Sequence, residues 1–172
     1  FGLSATVSDL NRDGFPDIYV TNDFMERDYM YINEGNGTFR DEILIRTDVT
    51  SYFSMGSDIA DINNDGLPDI MVADMLPWDY GRRQRFKTPD YSITDQLLAN
   101  GYHQKNMRNT LQLNRGEGVF SEIGRLAGVK ETDWSWGPLL AHFDNDGHKD
   151  LYVTNGFPRY YTDLDYLNNI LW

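Results

Sequence analysis

Short runs of alternating apolar and polar residues recur along this chain, and most of them are bounded by Asp, Asn and Gly. A period of two residues predicts β-strands, and clusters of Asp, Asn and Gly predict the turns between them. In the first unit the pattern predicts four strands, at about 3–8, 18–22, 29–33 and 38–43. Four strands in roughly 50 residues is the size of one β-propeller blade.

The same pattern returns three times, and each copy contains DGxxD followed by an apolar strand. The copies read VSDLNRDGFPDIYVTND from Val7, IADINNDGLPDIMVAD from Ile59 and LAHFDNDGHKDLYVTNG from Leu140. A second pair of matching segments, starting at Tyr29 and Leu111, predicts a strand, a Gly-rich turn and another strand in the first two copies. The chain is therefore a repeat protein.

The spacing of the copies divides the chain into three propeller repeats within one domain. We expect repeat 1 at residues 1–55, repeat 2 at 56–136 with an insertion at about 77–106, and the start of repeat 3 at 137–172. The fold class is all-β, a partial propeller of about two and a half four-stranded antiparallel blades. The remaining blades of the same protein are the expected neighbours, since an open set exposes sheet edges.

Two helical segments interrupt the strand pattern. In the insertion, a helix is predicted around 92–100, where Ile93, Leu97 and Leu98 share one face. A helical tail is predicted after the third repeat, from the spacing of Leu164, Leu167, Ile170 and Leu171.

The DxNxDGxxD loops carry the candidate chemistry of the chain. Side chains at positions 1, 3, 5 and 9 and the carbonyl at position 7 can converge on one point, and they present only oxygen. Oxygen ligands in that number favour Ca²⁺ over Mg²⁺. The predicted ligands are Asp9, Asn11, Asp13, the carbonyl of Phe15, and Asp17 in the first loop, and Asp61, Asn63, Asp65, the carbonyl of Leu67, and Asp69 in the second.

The third loop departs from this ligand pattern, because His142 occupies position 1. Its candidate ligands are Asp144, Asp146, His148 through its carbonyl, and Asp150. We expect two calcium sites, with a third possible. An EF-hand is excluded by position 12, which is valine in every loop and lies within an apolar strand.

The net charge of the chain bears on which partners are expected. The net charge is −12, from 27 acidic and 15 basic residues, which disfavours nucleic acid and anionic membranes as partners. The chain has no cysteine for disulfides, no apolar stretch long enough for a transmembrane segment and no recognisable leader after Phe1.

Other candidate sites are weaker. No GxSxG, HExxH, P-loop or GxGxxG motif occurs, so an enzyme is not predicted. Trp134 and Trp136 are expected to pack between blades. The basic cluster formed by Arg82, Arg83, Arg85 and Lys87 is expected to be a solvated loop, with an acidic partner or glycan as the alternative.

These motifs resemble the FG-GAP and VCBS repeats of integrin-α-like propellers. Gly56 and Gly137 stand where the family signature has a small residue, and the phrases AGV, SWG and VTNG are similar to bacterial members related to cartilage acidic protein 1 and the ASPIC/UnbV group. The resemblance implies a seven-bladed ring, loop-held calcium and export to the bacterial cell surface, the periplasm or the medium.

The predicted function is a calcium-binding scaffold that binds or adheres to a protein or glycan. One alternative is a subunit of a larger cell-envelope assembly, indicated by the long insertion. The other is the propeller part of a polysaccharide-processing enzyme that uses His103 or His148.

Overall fold

The computed structural model describes residues 1–86, 91–156 and 163–170. Its strands are β1 (Gly2–Ser8), β2 (Asp17–Asn22), β3 (Tyr29–Asn33), β4 (Phe39–Asp41), β5 (Thr50–Ser51), β6 (Ser57–Ala60), β7 (Asp69–Val72), β8 (Lys105–Asn106), β9 (Thr110–Asn114), β10 (Phe120–Glu122), β11 (Ser135–Ala141) and β12 (Asp150–Asn155). The helices are α1 (Ile43–Arg46), α2 (Tyr80–Arg85), α3 (Tyr91–Ala99) and α4 (Leu164–Ile170).

The main strands form three antiparallel sheets that follow the three repeats. Blade 1 has the order β1-β2-β3-β4, blade 2 has the order β6-β7-β9-β10, and blade 3 consists of β11 and β12. The first strands of the blades are neighbours: the hydroxyl of Thr6 donates to the carbonyl of Ser57, and the N–H of Leu140 donates to Asp58. The predicted fold, a partial propeller of four-stranded blades, is confirmed.

The hydrophobic core lies between successive blades. One cluster joins blades 1 and 2 and contains Leu10, Tyr19, Met30, Ile32, Ile43, Ile70, Val72 and Phe120. A second joins blade 2 to blade 3 and is built on Met71, Leu111 and Leu140. Side chains alternate between the two faces of a sheet, so one face of blade 2 contacts blade 1 and the other face contacts blade 3.

The predicted fourth strand of blade 1 is too long. The strand ends at Asp41, and Ile43, which was expected in it, begins the short helix α1. The Asp41 carboxylate accepts N–H groups from both Met30 and Ile43, so it ends the strand pairing and turns the chain. Ile43 is then fully buried in the core between blades.

The insertion of blade 2 contains more structure than predicted. Helix α3 lies within one residue of its predicted start and end, whereas α2 was not predicted. Strand β8 pairs in parallel with β5, the segment that leads into blade 2. The end of the insertion is thereby attached to the segment that connects the first two blades.

The basic cluster is not the solvated loop that we expected. Within the described residues its arginines pair with acidic groups of the same chain: Arg82 with Asp133, Arg83 with Glu131, and Arg85 with Asp163. Lys87 lies outside the described residues. The cluster fastens the insertion to the segment before β11 and to the start of the tail.

The helical tail is confirmed as α4, although Leu171 lies outside the described residues. None of the helices in the described part of the chain is both long and apolar enough to cross a membrane.

Candidate functional site

Each candidate metal loop joins the first and second strands of its blade, and all three share one backbone conformation. Position 4 has a left-handed φ, at 61° in Arg12, 61° in Asn64 and 62° in Asn145. Position 6 also has a positive φ and is glycine in each loop, where the missing Cβ removes the steric cost. The sequence DG therefore fixes a tight turn that brings positions 1, 3 and 5 to one side.

In the first loop, the predicted ligands fold over the backbone of the turn. The two carboxylate oxygens of Asp9 accept the N–H groups of Asp13 and Gly14 at 3.1 and 2.9 Å. Asp13 in turn accepts the N–H of Phe15 at 2.9 Å and the side-chain amide of Asn11 at 2.8 Å. The carboxylates of positions 1 and 5 thus stabilise the turn itself.

The second loop repeats this geometry closely. Asp61 accepts the N–H groups of Asp65 and Gly66 at 3.1 and 2.8 Å, and Asp65 accepts the N–H of Leu67 at 2.8 Å. The amide of Asn63 lies 2.9 Å from the Asp65 carboxylate. The same acidic and amide groups therefore have the same contacts in both complete blades.

Position 9 has a second role, because its carboxylate connects three segments of the blade. Asp17 is fully buried and accepts N–H groups from Leu10 and from Asn33, both at 2.8 Å. Asp69 is also fully buried and accepts from Ile62 at 2.9 Å and Asn114 at 2.8 Å. Each carboxylate links the start of its loop to the end of the third strand.

The acidic groups of the first two loops repel one another. Burial raises the pKa of Asp17, the N–H groups of Asn33 and Leu10 oppose that rise, and the charges of Asp13 and Asp9 add to it. Burial likewise raises the pKa of Asp69, with smaller contributions from the charges of Asp65 and Asp61. A bound cation would relieve this repulsion.

The third loop keeps part of the pattern. Phe143 donates its N–H to Asp150, Asp146 to Asp144, and His148 to Asp146. The imidazole of His142 replaces the carboxylate that accepts the N–H of position 6 in the other loops, and it is exposed. Asn64 of the second loop reaches across to the carbonyl of Gly147 at 2.9 Å, so neighbouring loops contact each other.

The chemistry of the donors fits a hard cation, but the side chains of the loops are directed towards backbone amides. Across the described residues, no group of three or more His, Asp or Glu side chains stands close enough to hold a metal ion. In the first two loops the amide nitrogen of Asn11 or Asn63 lies against the carboxylate of position 5, and the amide oxygen accepts the N–H of position 5. The ligand residues stay a prediction.

Sequence reasoning missed the two asparagines that complete the loops. Asn33 and Asn114 end the third strands, and each donates its amide to the proline carbonyl at position 8 of its loop, Pro16 or Pro68. Asn114 also donates to the carbonyl of Leu10 in blade 1 at 2.9 Å. The signal was present in the aligned segments, since YIN and QLN place Asn at the same point.

A second missed feature lies at the opposite ends of the second strands. In blade 1, Asp28 accepts the N–H of Asn22, and in blade 2, Asn109 accepts the N–H of Asp74. The acid and the amide have exchanged places between the blades. All four residues are buried, so blades 1 and 2 each place one carboxylate at this point.

Asp28 and Asn109, the residues that precede the third strands, each bind the segment that enters the next blade. Asp28 accepts the hydroxyl of Ser54 at 2.9 Å, and Asn109 donates to the hydroxyl of Thr132 at 2.6 Å. Thr132 is in turn 2.6 Å from the hydroxyl of Ser135. Ser54 and Ser135 each donate their hydroxyl to the carbonyl three residues earlier, so the segments SYFS and TDWS are equivalent inter-blade connections.

The remaining candidates are two histidines and two tryptophans, and each is described by the groups around it. Both ring nitrogens of His103 lie 2.9 Å from backbone carbonyls, those of Gln104 and Thr47, and the side chain is buried. His148 lies near the amide of Asn64. Trp134 packs against a core cluster that includes Tyr52 of the segment before blade 2 and Phe86 of the insertion, whereas Trp136, which was expected to pack between blades, is exposed.

Comparison with known proteins finds similarity in the part of the chain that carries the first two loops. Residues 9–72 match the model of the FG-GAP-like repeat, a segment that runs from the first loop to the end of β7. The chain is similar to integrin alpha-8 of Gallus gallus, with 38% identity over 86 residues. That alignment covers 42% of this chain and 8% of the integrin chain. The narrower bacterial grouping stays a prediction, and residues 9–72 of the chain match an FG-GAP-like repeat.

Proposed function

We propose that this chain is part of a non-enzymatic, calcium-binding propeller scaffold that binds a protein or glycan outside the cytoplasm. The observation that carries the proposal is the repetition of one oxygen-donor loop in two blades with matching contacts. Turn chemistry alone requires the Asp or Asn and the Gly of such loops, but not an oxygen donor at all four spacings.

Calcium would be held in the first loop by Asp9, Asn11, Asp13, the carbonyl of Phe15, and Asp17, and by the matching residues of the second loop. Its role would be structural, because burial raises the pKa of the Asp at position 9 and calcium would neutralise the neighbouring carboxylates whose charges add to that rise. The third loop lacks the first carboxylate, so weaker binding is proposed there.

A scaffold role is favoured over an enzyme by the state of the candidate catalytic groups. His103 is buried between carbonyls, and the described residues contain none of the usual nucleophile motifs. The similarity to an integrin alpha chain supports adhesion and an exported location as parts of the same proposal.

Calcium titration of thermal stability tests this function. At about 10⁻³ M calcium, loops with affinities of about 10⁻⁴ M are expected to raise the melting temperature by about 3 °C or more, measured by calorimetry after dialysis against chelator. Magnesium at the same concentration should have a smaller effect, because it requires a smaller, octahedral site.

Variants show whether the loops cause the shift. Asp9→Asn and Asp61→Asn should each reduce the calcium-dependent rise, since each removes one charged ligand. Asp48→Asn, at an exposed acid outside the loops, is the matched control and should retain the whole rise. A stability that does not respond to calcium, or that responds equally in all three variants, would contradict the proposal.

A further inference from the structure

The hairpin between β3 and β4 contains one of the three Asn–Gly pairs of the chain. The pairs are Asn36–Gly37, Asn100–Gly101 and Asn155–Gly156, and all three asparagines are exposed. An asparagine before glycine can cyclise, because the glycine carries no side chain that would hinder its nitrogen from attacking the side-chain carbonyl of the asparagine. The dipeptide is the same at the three sites, so a difference in their reactivity must come from the folded structure.

The three glycine nitrogens differ in their hydrogen bonds. Gly101 donates its N–H to the carbonyl of Leu98, and Gly156 donates its N–H to the carbonyl of Trp134, both at 3.0 Å. Among the described residues, the N–H of Gly37 donates to no group. A nitrogen that is held by a carbonyl must break that hydrogen bond before it can lose its proton and attack. Of the three nitrogens, that of Gly37 therefore reacts most readily.

The side-chain oxygen of Asn36 faces two donor groups of Thr38. It accepts the N–H of Thr38 at 2.9 Å, and the Thr38 hydroxyl lies 2.6 Å from it. That hydroxyl is also 2.8 Å from the Glu34 carboxylate, and its single proton can serve either oxygen. When the Gly37 nitrogen attacks, negative charge develops on the Asn36 oxygen, which becomes more basic than a carboxylate and attracts the proton. Donors that already point at the atom where charge develops lower the barrier of such a step.

Asn100 has different side-chain contacts. Its amide nitrogen donates to the carbonyl of Gln96 at 2.7 Å, which holds the side chain against the end of α3. No donor in the described part of the chain reaches its side-chain oxygen. Of these two asparagines, Asn36 is the one that combines an available glycine nitrogen with donors on the side-chain oxygen.

We propose that Asn36 is a site of spontaneous modification, where the amide is converted to aspartate and isoaspartate faster than at Asn100 or Asn155. The Gly37 nitrogen loses its proton to water and forms a bond to the side-chain carbon of Asn36. The bond from that carbon to the side-chain nitrogen breaks, and the nitrogen leaves as ammonia. Water then opens the resulting succinimide at either carbonyl. The net reaction consumes one water and releases one ammonia, with no oxidation or reduction, and it requires no calcium.

The modification changes a hairpin that contacts the first loop. The N–H of Glu34 donates to the carbonyl of Thr38 across the turn at 3.0 Å, and a Cβ on Gly35 would lie 2.6 Å from the ring of Phe15. Isoaspartate adds one carbon to the main chain inside this turn, and both products add a negative charge near Glu34. The reaction therefore alters the segment on which the Phe15 ring packs.

Peptide mapping of the incubated protein tests the proposal. The intact chain is incubated near neutral pH and digested with trypsin, which places the three asparagines in separate peptides, at 28–40, 88–105 and 150–159. Mass spectrometry measures the loss of the amide, chromatography separates isoaspartate from aspartate, and a sample digested without incubation gives the background. We expect Asn36 to react about tenfold or more faster than Asn100 and Asn155, the factor that corresponds to one backbone hydrogen bond.

A denatured sample and two variants identify the cause. In concentrated urea the three rates should converge, because the hydrogen bonds that distinguish the sites are lost. In the folded chain, Thr38→Val, which keeps the branched shape but removes the hydroxyl, should slow the reaction at Asn36 about threefold or more, whereas Thr38→Ser should react as the parent does. Circular dichroism checks that both variants are folded.

Equal rates at the three asparagines of the folded chain would overturn the proposal, as would no reaction at Asn36. A preference for Asn36 that persists in urea would also refute it, since local sequence rather than the fold would then be the cause. Equal rates in Thr38→Val and Thr38→Ser would contradict the role of the hydroxyl. Incubation in calcium and in chelator should give the same order of the three sites, which separates this result from failure of the calcium proposal.

Discussion

At the residue scale, two buried carboxylates hold the ends of the strands opposite the loops. Asp28 accepts from Asn22, Tyr19 and Ser54, and Asp74 accepts from the Ser51 hydroxyl and several backbone N–H groups. Burial raises the pKa of each to about 6, and these hydrogen bonds oppose the rise. The folded state therefore holds a proton on these groups at pH values where the unfolded chain has released it.

This difference predicts how stability depends on pH. Because the folded pKa of Asp28 is raised, its contribution favours the folded state at low pH and is lost as the pH rises from about 4 to 6. Between pH 4 and 6 the free energy of unfolding of the Asp28→Asn variant should fall by about 2 to 3 kcal/mol less than that of the parent, because one pKa unit corresponds to about 1.4 kcal/mol. Urea unfolding at several pH values measures the difference between the two proteins.

The variant is expected to fold, since blade 2 has Asn109 at the same position. Asp48→Asn, which replaces an exposed carboxyl by an amide, is the matched control. A parent and an Asp28→Asn variant whose stabilities differ by a constant amount from pH 4 to 7 would show that Asp28 has an ordinary pKa in the folded state.

At the scale of elements, the third strand of each blade is joined to the loop by an asparagine. Both asparagines donate to a proline carbonyl in their own loop, but Asn114 is buried and also donates to Leu10 of the preceding blade. A buried carbonyl that loses its donor costs about 1 to 3 kcal/mol. Asn114 therefore connects elements of two blades, while Asn33 connects elements of one.

Replacement of these two residues separates the two roles. Asn114→Ala should lower the free energy of unfolding by about 2 to 3 kcal/mol, and Asn33→Ala, the matched control with its more exposed amide bond, by about 1 kcal/mol or less. Chemical denaturation measures both values. Equal losses would mean that the bond from Asn114 to Leu10 does not stabilise the blade junction.

At the scale of the whole molecule, the blades meet along their first strands, where small residues allow close approach. Gly56 precedes β6, and a methyl group there would overlap the carbonyl oxygen of Trp136 in blade 3. Among the described residues, the equivalent Gly137 has only the hydroxyl of Thr154 nearby, at 3.2 Å from an added Cβ. The small residue of the repeat signature thus sets the distance between blades 2 and 3.

Gly56→Ala is expected to destabilise the protein by about 1 to 3 kcal/mol, because backbone rather than a flexible side chain must move. Gly137→Ala is the control and should cost less, since the Thr154 side chain can rotate. Calorimetry of both variants tests this, and a larger loss in Gly137→Ala would contradict the role assigned to Gly56.

Much of this organisation could be predicted from local sequence. Strand period, the DG turns and the spacing of the three copies gave the blades, the loops and the insertion, because those features depend on residues close together in the chain. The ligand set was likewise predicted from spacing within nine-residue loops, and it remains to be tested with metal.

Long-range contacts decided the rest. Ile43 lies outside a strand because Asp41 ends the strand pairing and the Ile43 side chain is buried in the core. Two arginines of α2 pair with acidic residues some fifty residues away in the chain. The acid and the amide are exchanged between the pairs Asn22·Asp28 and Asp74·Asn109, and this exchange can be recognised only when the paired strands bring each pair together. Local sequence determines which turns and strands can form, whereas burial and partner choice depend on segments that only folding brings together.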